Sequence, residues 1–394
     1  MKTKISMLVW NEFLNDARVL KEAQTLQAAG YQVCVHALHS EGKTKKNEVL
    51  DQGIIVKRQA RSFTFLDKAS NASSRIGVVL RVFSRVLTHV NHCISIVRNK
   101  PSVVHAHDVN VLPTAWLAAK ICRVPLVYDA HEISTSREGY SSFRNIVARV
   151  EKMLMPSAAA TITTTETRAK FFARAYGIER PIVLQNRPRI LISKEGFNKN
   201  RLRNELDLNN FEWPIILYQG GLQQGRGLHK LIQSVELVPD SYFVFIGGGR
   251  LTKELTVLSE NLGLTERVKF VPTVSLSDLP EYTASADIGV QPIDNTCLNH
   301  YSTDSNKLFE YILSEIPVVA TDFPEIRKIV NGYEVGETVP DKDVEELANK
   351  LNKLVKNSEL RSFYKKNTIL AADKVSWEEQ EYKLVHIYDE VLGL

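Results

Sequence analysis

Short apolar runs alternate with helical stretches along this chain, and the alternation starts afresh midway. Lys4 to Trp10, Tyr31 to Leu38, Gly53 to Lys57, Ser102 to His107, Pro125 to His131 and Ala160 to Thr165 read as strands, each short, apolar and bounded by turn residues. Val19, Leu20, Ala23, Leu26 and Ala29 recur at helical spacing up to Gly30, and Leu112 to Cys122 and Ile146 to Leu154 keep that period. Strands separated by helices call for a parallel sheet covered on both faces. From Pro214 the pattern returns, with strands at Pro214 to Gln219, Tyr242 to Ile246, Val268 to Val271, Ile288 to Pro292 and Pro317 to Thr321 and helices at Leu228 to Val235, Leu255 to Leu262 and Ser305 to Ile316. The expected fold class is α/β, two tandem Rossmann-like doubly wound domains facing across a cleft.

Length agrees, since 394 residues exceed the roughly 250 to 300 at which one core stops growing. The joint is expected at Gln185-Asn186-Arg187-Pro188, where Pro188 disfavours helix and the strand pattern lapses, giving domains 1–186 and 187–375. Cys34, Cys93, Cys122 and Cys297 form no CxxC pair, and no secretory leader is evident, so a reducing, cytoplasmic setting is expected. The apolar stretch Ile76 to Val97 is broken by Arg81, Arg85, His89 and His92 and is no membrane span. Residues 1–190 hold 28 Lys+Arg against 14 Asp+Glu and the remainder 22 against 31, so a basic half faces an acidic one. The basic half favours anionic partners. Nucleic acid is excluded as partner, because no recognition helix, zinc finger or aromatic stacking motif accompanies the charge.

Ligands of open parallel sheets bind beyond the carboxyl ends of the strands, so residues just after strands carry the chemistry. In Ser302 to Asp322, the good N-caps Thr303, Asp304 and Ser305 precede an apolar stripe that Pro317 ends. Amides at Asn306, Lys307 and Leu308, with the Lys307 ammonium, suit a pyrophosphate, and Glu310 lies about 7 Å further along at 1.5 Å per residue, within reach of a ribose. Gly220 and Gly221 end the first strand of the second half and admit close backbone approach, and Arg226 follows as a clamp for leaving phosphates. Gly248, in FIGGGR, repeats the geometry without a GxGxxG fingerprint. In the first half Asn15, Asp16 and Arg18 stand where the first loop meets its helix, Asp16 equally suited to capping it, and His107 with Asp108 suits an acceptor pocket. His105, His107, Asp108, Asp129, His131 and Glu132 could form a metal site, yet a cationic cleft neutralises a diphosphate unaided, so no metal and no cofactor are expected.

Residues 75–100 gather Arg81, Ser84, Arg85, Thr88, His89 and His92 on one helical face and Val82, Phe83, Val86, Leu87, Val90 and Ile94 on the other. Two arrangements are open: the apolar face packs on its own sheet, or the helix lies on anionic lipid at the inner face of a membrane.

The motifs YQGGLQQGRGL, VFIGGG, LGLTERVKFVPTV, ADIGVQPI and SNKLFEYILSEIPVVATDFPEI together resemble the donor domain of the family-four retaining glycosyltransferases of GT-B fold. NDARVLKEAQTLQAAGYQV, VVHAHD and PLVYDAHE resemble its acceptor domain, and SWEEQEYKLVHIYDEVL is similar to a final helix, within 376–394, that crosses back to the first domain. The resemblance implies that Glu310 holds a ribose, that Arg226, Lys307 and the Ser305 to Leu308 amides stabilise a departing diphosphate, that Val274 lies by the base, and that His131 faces the donor sugar. Two positions depart from it: Ser302 stands where the family commonly has Glu, and Gly221 where it commonly has Arg, with Asp304 a substitute on the sugar side. The implied activity is metal-independent transfer, with retention, from a UDP-sugar in preference to a GDP-sugar. The implied acceptor is a sugar, lipid-linked or protein hydroxyl in surface polysaccharide, glycolipid or glycoprotein assembly. A non-catalytic GT-B partner or carbohydrate-binding protein, and a sugar-nucleotide epimerase, are the alternatives.

Overall fold

The computed structural model describes residues 3–61, 75–137, 144–190 and 196–394 and divides into two units, Met1–Gln185 with Gln380–Leu394, and Asn186–Glu379. The first is built on strands β1 (Lys4–Leu8), β2 (Gln32–His39), β3 (Asn47–Val49), β4 (Ile55–Ala60), β5 (Val103–His107), β6 (Leu126–Ala130), β7 (Ala160–Thr163) and β8 (Ile182–Val183). They form one sheet in the order β3-β4-β2-β1-β5-β6-β7-β8, parallel except for β3, an antiparallel edge that the sequence reading missed because only three residues, two of them exposed, carry it. Helices α1 (Ala17–Ala28), α2 (Arg75–Asn99), α3 (Leu112–Cys122), α4 (Arg144–Leu154) and α5 (Glu166–Tyr176) connect them.

The second unit holds β9 (Ile215–Gln219), β10 (Tyr242–Ile246), β11 (Val268–Val271), β12 (Ile288–Gln291), β13 (Val318–Thr321) and β14 (Gly336–Val339), all parallel, in the order β11-β10-β9-β12-β13-β14. Period-two alternation explains the two layers: Ile215 and Leu217 of β9 enter one apolar cluster, Ile216 and Tyr218 the other. Among its helices, α6 (Leu228–Ser234) follows the loop after β9, α7 (Thr252–Asn261) the loop after β10, and α8 (Asn306–Leu313) precedes β13. In each sheet the strand order reverses beside the first strand, between β1 and β5 and between β9 and β12. Loops leaving those strands part there, which opens a crevice for a ligand.

One helix differs from its simplest expectation. The polar face of α2 points inward: Ser84, Thr88 and His92 are buried, while Val82, Val86, Val90 and Ile94 are exposed. The cause lies underneath. The sheet presents His36 and Ser6, and α2 answers with Ser95 Oγ 3.1 Å from His36 Nδ1 and Asn99 donating to Ser6 Oγ at 2.9 Å, while His89 Nδ1 lies 2.8 Å from Thr114 Oγ1 on α3. A polar partner surface draws Ser95, Asn99 and His89 inward, because buried donors and acceptors left unpaired are costly, about 1 to 3 kcal/mol each, while the ring nitrogens of His92 are buried without a partner among the described residues.

Candidate active site

In the second unit, three segments converge beyond the strand ends: the loop after β9, the loop after β10 and the start of α8. The first two touch backbone to backbone. A Cβ at Gly247 would lie 2.1 Å from the Gly220 carbonyl oxygen, and one at Gly249 2.1 Å from that of Leu222, so the outer two glycines of GGG are required by packing. Gly248 between them is exposed and turns outward. Gly220, at φ +124°, leaves room for Lys307, whose Nζ is 3.2 Å from where a Cβ would stand. Gly221 is exposed, and a Cβ there would meet only the Gln223 side chain, at 3.6 Å.

Lys307 lies against Tyr218, donating to its hydroxyl at 2.9 Å with the ammonium 4.1 Å from the ring centroid. Burial, aided by repulsion from Arg226 and only partly opposed by Glu310, brings its pKa down to about 7. Arg226 is half-buried and has no hydrogen bond or ion pair among the described residues. Glu310 is held by Gln219, whose Nε2 donates to Glu310 Oε2 at 2.6 Å, and the Gln219 carbonyl accepts from Thr283 at 2.8 Å. A buried amide thus fixes the direction of a half-exposed carboxylate.

At the start of α8, Ser305 is the N-cap residue, but its hydroxyl accepts from Gln291 Nε2 at 2.9 Å instead of capping the helix. The N–H groups of Asn306 and Lys307 therefore have no acceptor among the described residues. Two sequence expectations, those for Leu308 and Asp304, are corrected here. Leu308 is not a donor-binding residue, because its amide donates to Ser305 O at 3.1 Å and its side chain is in the core. Asp304 is buried and its charge acts on Arg187, so it does not face a sugar. Ser302 is buried with its hydroxyl on Leu298 O at 2.6 Å and leaves nothing to replace a glutamate's reach. Val274 is half-buried and packs against the core, so any contact with a base is through one edge of its side chain.

In the first unit a cavity of about 400 Å³ opens at the carboxyl ends of β1, β5 and β6, lined by Val9, Trp10, Asn11, Asp16, His107, Asp108, Asn110, His131 and Arg137. Asp16 caps α1, accepting from Val19 N at 3.2 Å, and its other oxygen accepts from Asn11 Nδ2 at 2.8 Å, so it both caps and lines the cavity. Asp108 takes φ +68°, accepts from Arg137 at 3.2 Å and lies 3.9 Å from His131 Nδ1. His131 Nε2 lies 3.1 Å from Asp129 Oδ2 and 3.3 Å from His107 Nδ1. Burial works against charge on His131, but the Asp129 and Asp108 carboxylates prevail and raise its pKa to about 9. His107 moves the other way, its pKa lowered by burial. At neutral pH, His131 is the charged ring and His107 the neutral one.

Arg18 is corrected: it is 4% exposed, with Nε 2.9 Å from Asp129 Oδ2 and 3.0 Å from Glu22 Oε1 and Nη1 donating to Leu184 O, so it braces the floor and touches no acceptor. Asn15 is exposed outside the cavity lining. Glu22, His105, His107 and Asp129 bring ligand-type atoms within 4.8 Å of one another, with Arg18 against both carboxylates as their counter-charge. From the C-terminal helix Glu378–Leu392, the Tyr388 hydroxyl lies 2.8 Å from His105 Nδ1, and the His105 ring lies 4.0 Å from that of His107. Sequence reasoning missed Trp10, Asn11, Asn110 and Arg137. The first three directly follow β1 or β5 and were within reach of the strand-end rule.

The family model for glycosyl transferases group 1 matches residues 199–370, and that for the glycosyl transferase 4-like domain matches residues 16–186. A D-inositol 3-phosphate glycosyltransferase of Xylanimonas cellulosilytica is 24% identical over 303 residues, 73% of this chain and 71% of that one. Sucrose-phosphate synthase from Thermosynechococcus elongatus superposes with a TM-score of 0.81 at 16% identity, covering 100% of both chains. The Anabaena protein HepE in complex with UDP-glucose gives a TM-score of 0.75 at 18% identity, over 98% of this chain and 99% of that one.

Proposed function

The chain belongs to the family-four glycosyltransferases of GT-B fold, and on that premise we propose that it moves a sugar, with retention and without a metal, from a UDP-sugar in preference to a GDP-sugar to an acceptor hydroxyl. The observation that carries this reading is the anion site of the second unit: two open amides at the tip of α8, Lys307 behind them, Arg226 uncommitted, and Glu310 held ready by Gln219. Such a site suits a pyrophosphate joined to a ribose. HepE, crystallised with UDP-glucose, supports a uridine donor.

In this reaction the bond from the anomeric carbon to the diphosphate oxygen breaks while the bond to the acceptor oxygen forms on the same face. The acceptor proton passes to the departing phosphate oxygen. Arg226, Lys307 and the Asn306 and Lys307 amides stabilise the charge growing on that oxygen, the kind of preorganised electrostatics that is worth several kcal/mol. His131, charged at neutral pH, donates a hydrogen bond to a sugar and does not act as a base. Asp16, Asp108, Asn11 and Asn110 present acceptors and donors suited to a polyol. The enzyme works in the cytoplasm, in surface polysaccharide, glycolipid or glycoprotein assembly.

Calorimetric titration with UDP- and GDP-sugars tests the reading. Binding of UDP-sugars with slow donor hydrolysis is expected, and Glu310→Ala weakens nucleotide affinity by about 1 to 3 kcal/mol. Silence across the panel favours a non-catalytic GT-B partner, and conversion of the donor sugar without acceptor favours an epimerase.

A further inference from the structure

Helices α2, α3 and α4 lie side by side on one face of the first sheet. Their outward surface is unusually apolar. On α2, Val79, Val82, Val86, Val90 and Ile94 follow one another at helical spacing and are 42 to 66% exposed, a stripe roughly 22 Å long at 1.5 Å per residue. Leu117 and Ile121 of α3 and Ile146 and Met153 of α4 are likewise exposed. Isolated exposed aliphatics are ordinary, but a run across three adjoining helices marks a docking surface.

Charge selects the partner. The three helices contain a single acidic residue, Glu151, which is buried and accepts from Tyr128, Tyr176 and Ser134. Arg85, Arg98, Lys120, Arg149 and Lys152 are exposed among the apolar side chains. Apolar residues that enter an acyl boundary, flanked by cations and free of exposed carboxylates, complement an anionic bilayer. A protein interface would be expected to carry charges of both signs at its rim.

We infer that the α2–α3–α4 face seats the protein on an anionic membrane surface. The same face adjoins the cavity: Arg85 donates to Asn110 Oδ1 at 3.2 Å and lies 5.1 Å over the Trp10 ring, and both residues line it. Among the described residues no helix is long and apolar enough to cross a membrane, so the attachment is peripheral. The docking itself is independent of the chemistry; that it presents a lipid-borne acceptor to the cavity rests on the transferase reading.

Co-sedimentation of the full chain with vesicles tests it. Vesicles of phosphatidylglycerol and phosphatidylcholine should pellet the protein, pure phosphatidylcholine should retain at least about tenfold less, and raised salt should release it. Val82→Glu with Val86→Glu, and separately Arg149→Glu with Lys152→Glu, should each lower partitioning about tenfold or more while melting temperature and UDP binding stay unchanged. A parent chain that stays in the supernatant at every composition overturns the inference, as do variants that pellet like the parent, or self-association through this face without lipid binding. UDP titration of the same preparations separates the failures. Nucleotide binding without vesicle binding sinks only the docking, and vesicle binding without nucleotide binding sinks only the transferase.

Discussion

The two units solve the same topological problem and dispose of their charges in opposite ways. At the second unit's strand ends, among the described residues, Arg226 has no hydrogen bond or ion pair, Lys307 has a phenol as its hydrogen-bond partner, and two amides have no acceptor. Beneath the first unit's cavity, Arg18, Glu22, Asp129 and His131 are paired with one another. Open cations suit a ligand that brings its own negative charge. An internally paired network suits a neutral polyol, because Asp129 fixes the orientation of the His131 donor and leaves the wall polar, although Arg18 Nη2 and Asp129 Oδ1 are buried without a hydrogen bond among the described residues. On the proposed function, charge distribution thus suits one site to a diphosphate and the other to a hydroxyl, although both sit at equivalent places in similar sheets.

The comparison breaks most visibly at Asp129. Asp129→Asn leaves Arg18 buried without its main counter-charge, and a loss of about 3 to 5 kcal/mol in chemical denaturation is expected. Loss of that carboxylate also lets the His131 pKa fall from about 9, which NMR titration of its ring follows. Arg226→Ala is the contrast: stability within about 0.5 kcal/mol of the parent, but, on the proposed mechanism, turnover down about a hundredfold, since it removes charge that mechanism needs only at the leaving group.

Lys307 sharpens the comparison further. Its folded pKa lies below its unfolded one, so between about 7 and 10.5 the unfolded chain binds more protons and stability rises with pH across that window. Diphosphate favours the charged form. UDP affinity should therefore fall by about tenfold from pH 6 to pH 8, with proton uptake on binding near neutrality. Calorimetry in buffers of different ionisation enthalpy reads both. The smallest effect is expected at Gly221→Arg: a Cβ there meets only the far end of the Gln223 side chain at ordinary contact distance, which predicts a melting point within about 1 °C of the parent and severalfold tighter UDP binding.

Local pattern made the strands legible, because buried parallel strands are short apolar runs and the loops that follow them are turn-rich. It also exposed Glu310, Lys307 and Arg226 as residues with chemistry near a strand end or a helix start, whereas the place of His131 at a sugar came from the family resemblance. What remained hidden depends on partners distant in sequence. Nothing near Arg18 announces Asp129, 111 residues later. The outward turn of α2 could not be read from α2, since an amphipathic helix has two faces and the polarity of the sheet beneath decides which is buried. Leu308 illustrates the finer case: helix starts offer open amides, but which of them stay open depends on where the cap residue's carbonyl points.

Tyr388 against His105 has a consequence for biosynthesis. The first unit includes residues 380–394, which leave the ribosome after the whole of the second unit. The half translated first is completed last. Until then the surface that later receives Tyr388, with the His105 ring behind it, is open to chaperones and proteases, so damage in the last helix should be felt as misfolding of the opposite end of the sequence.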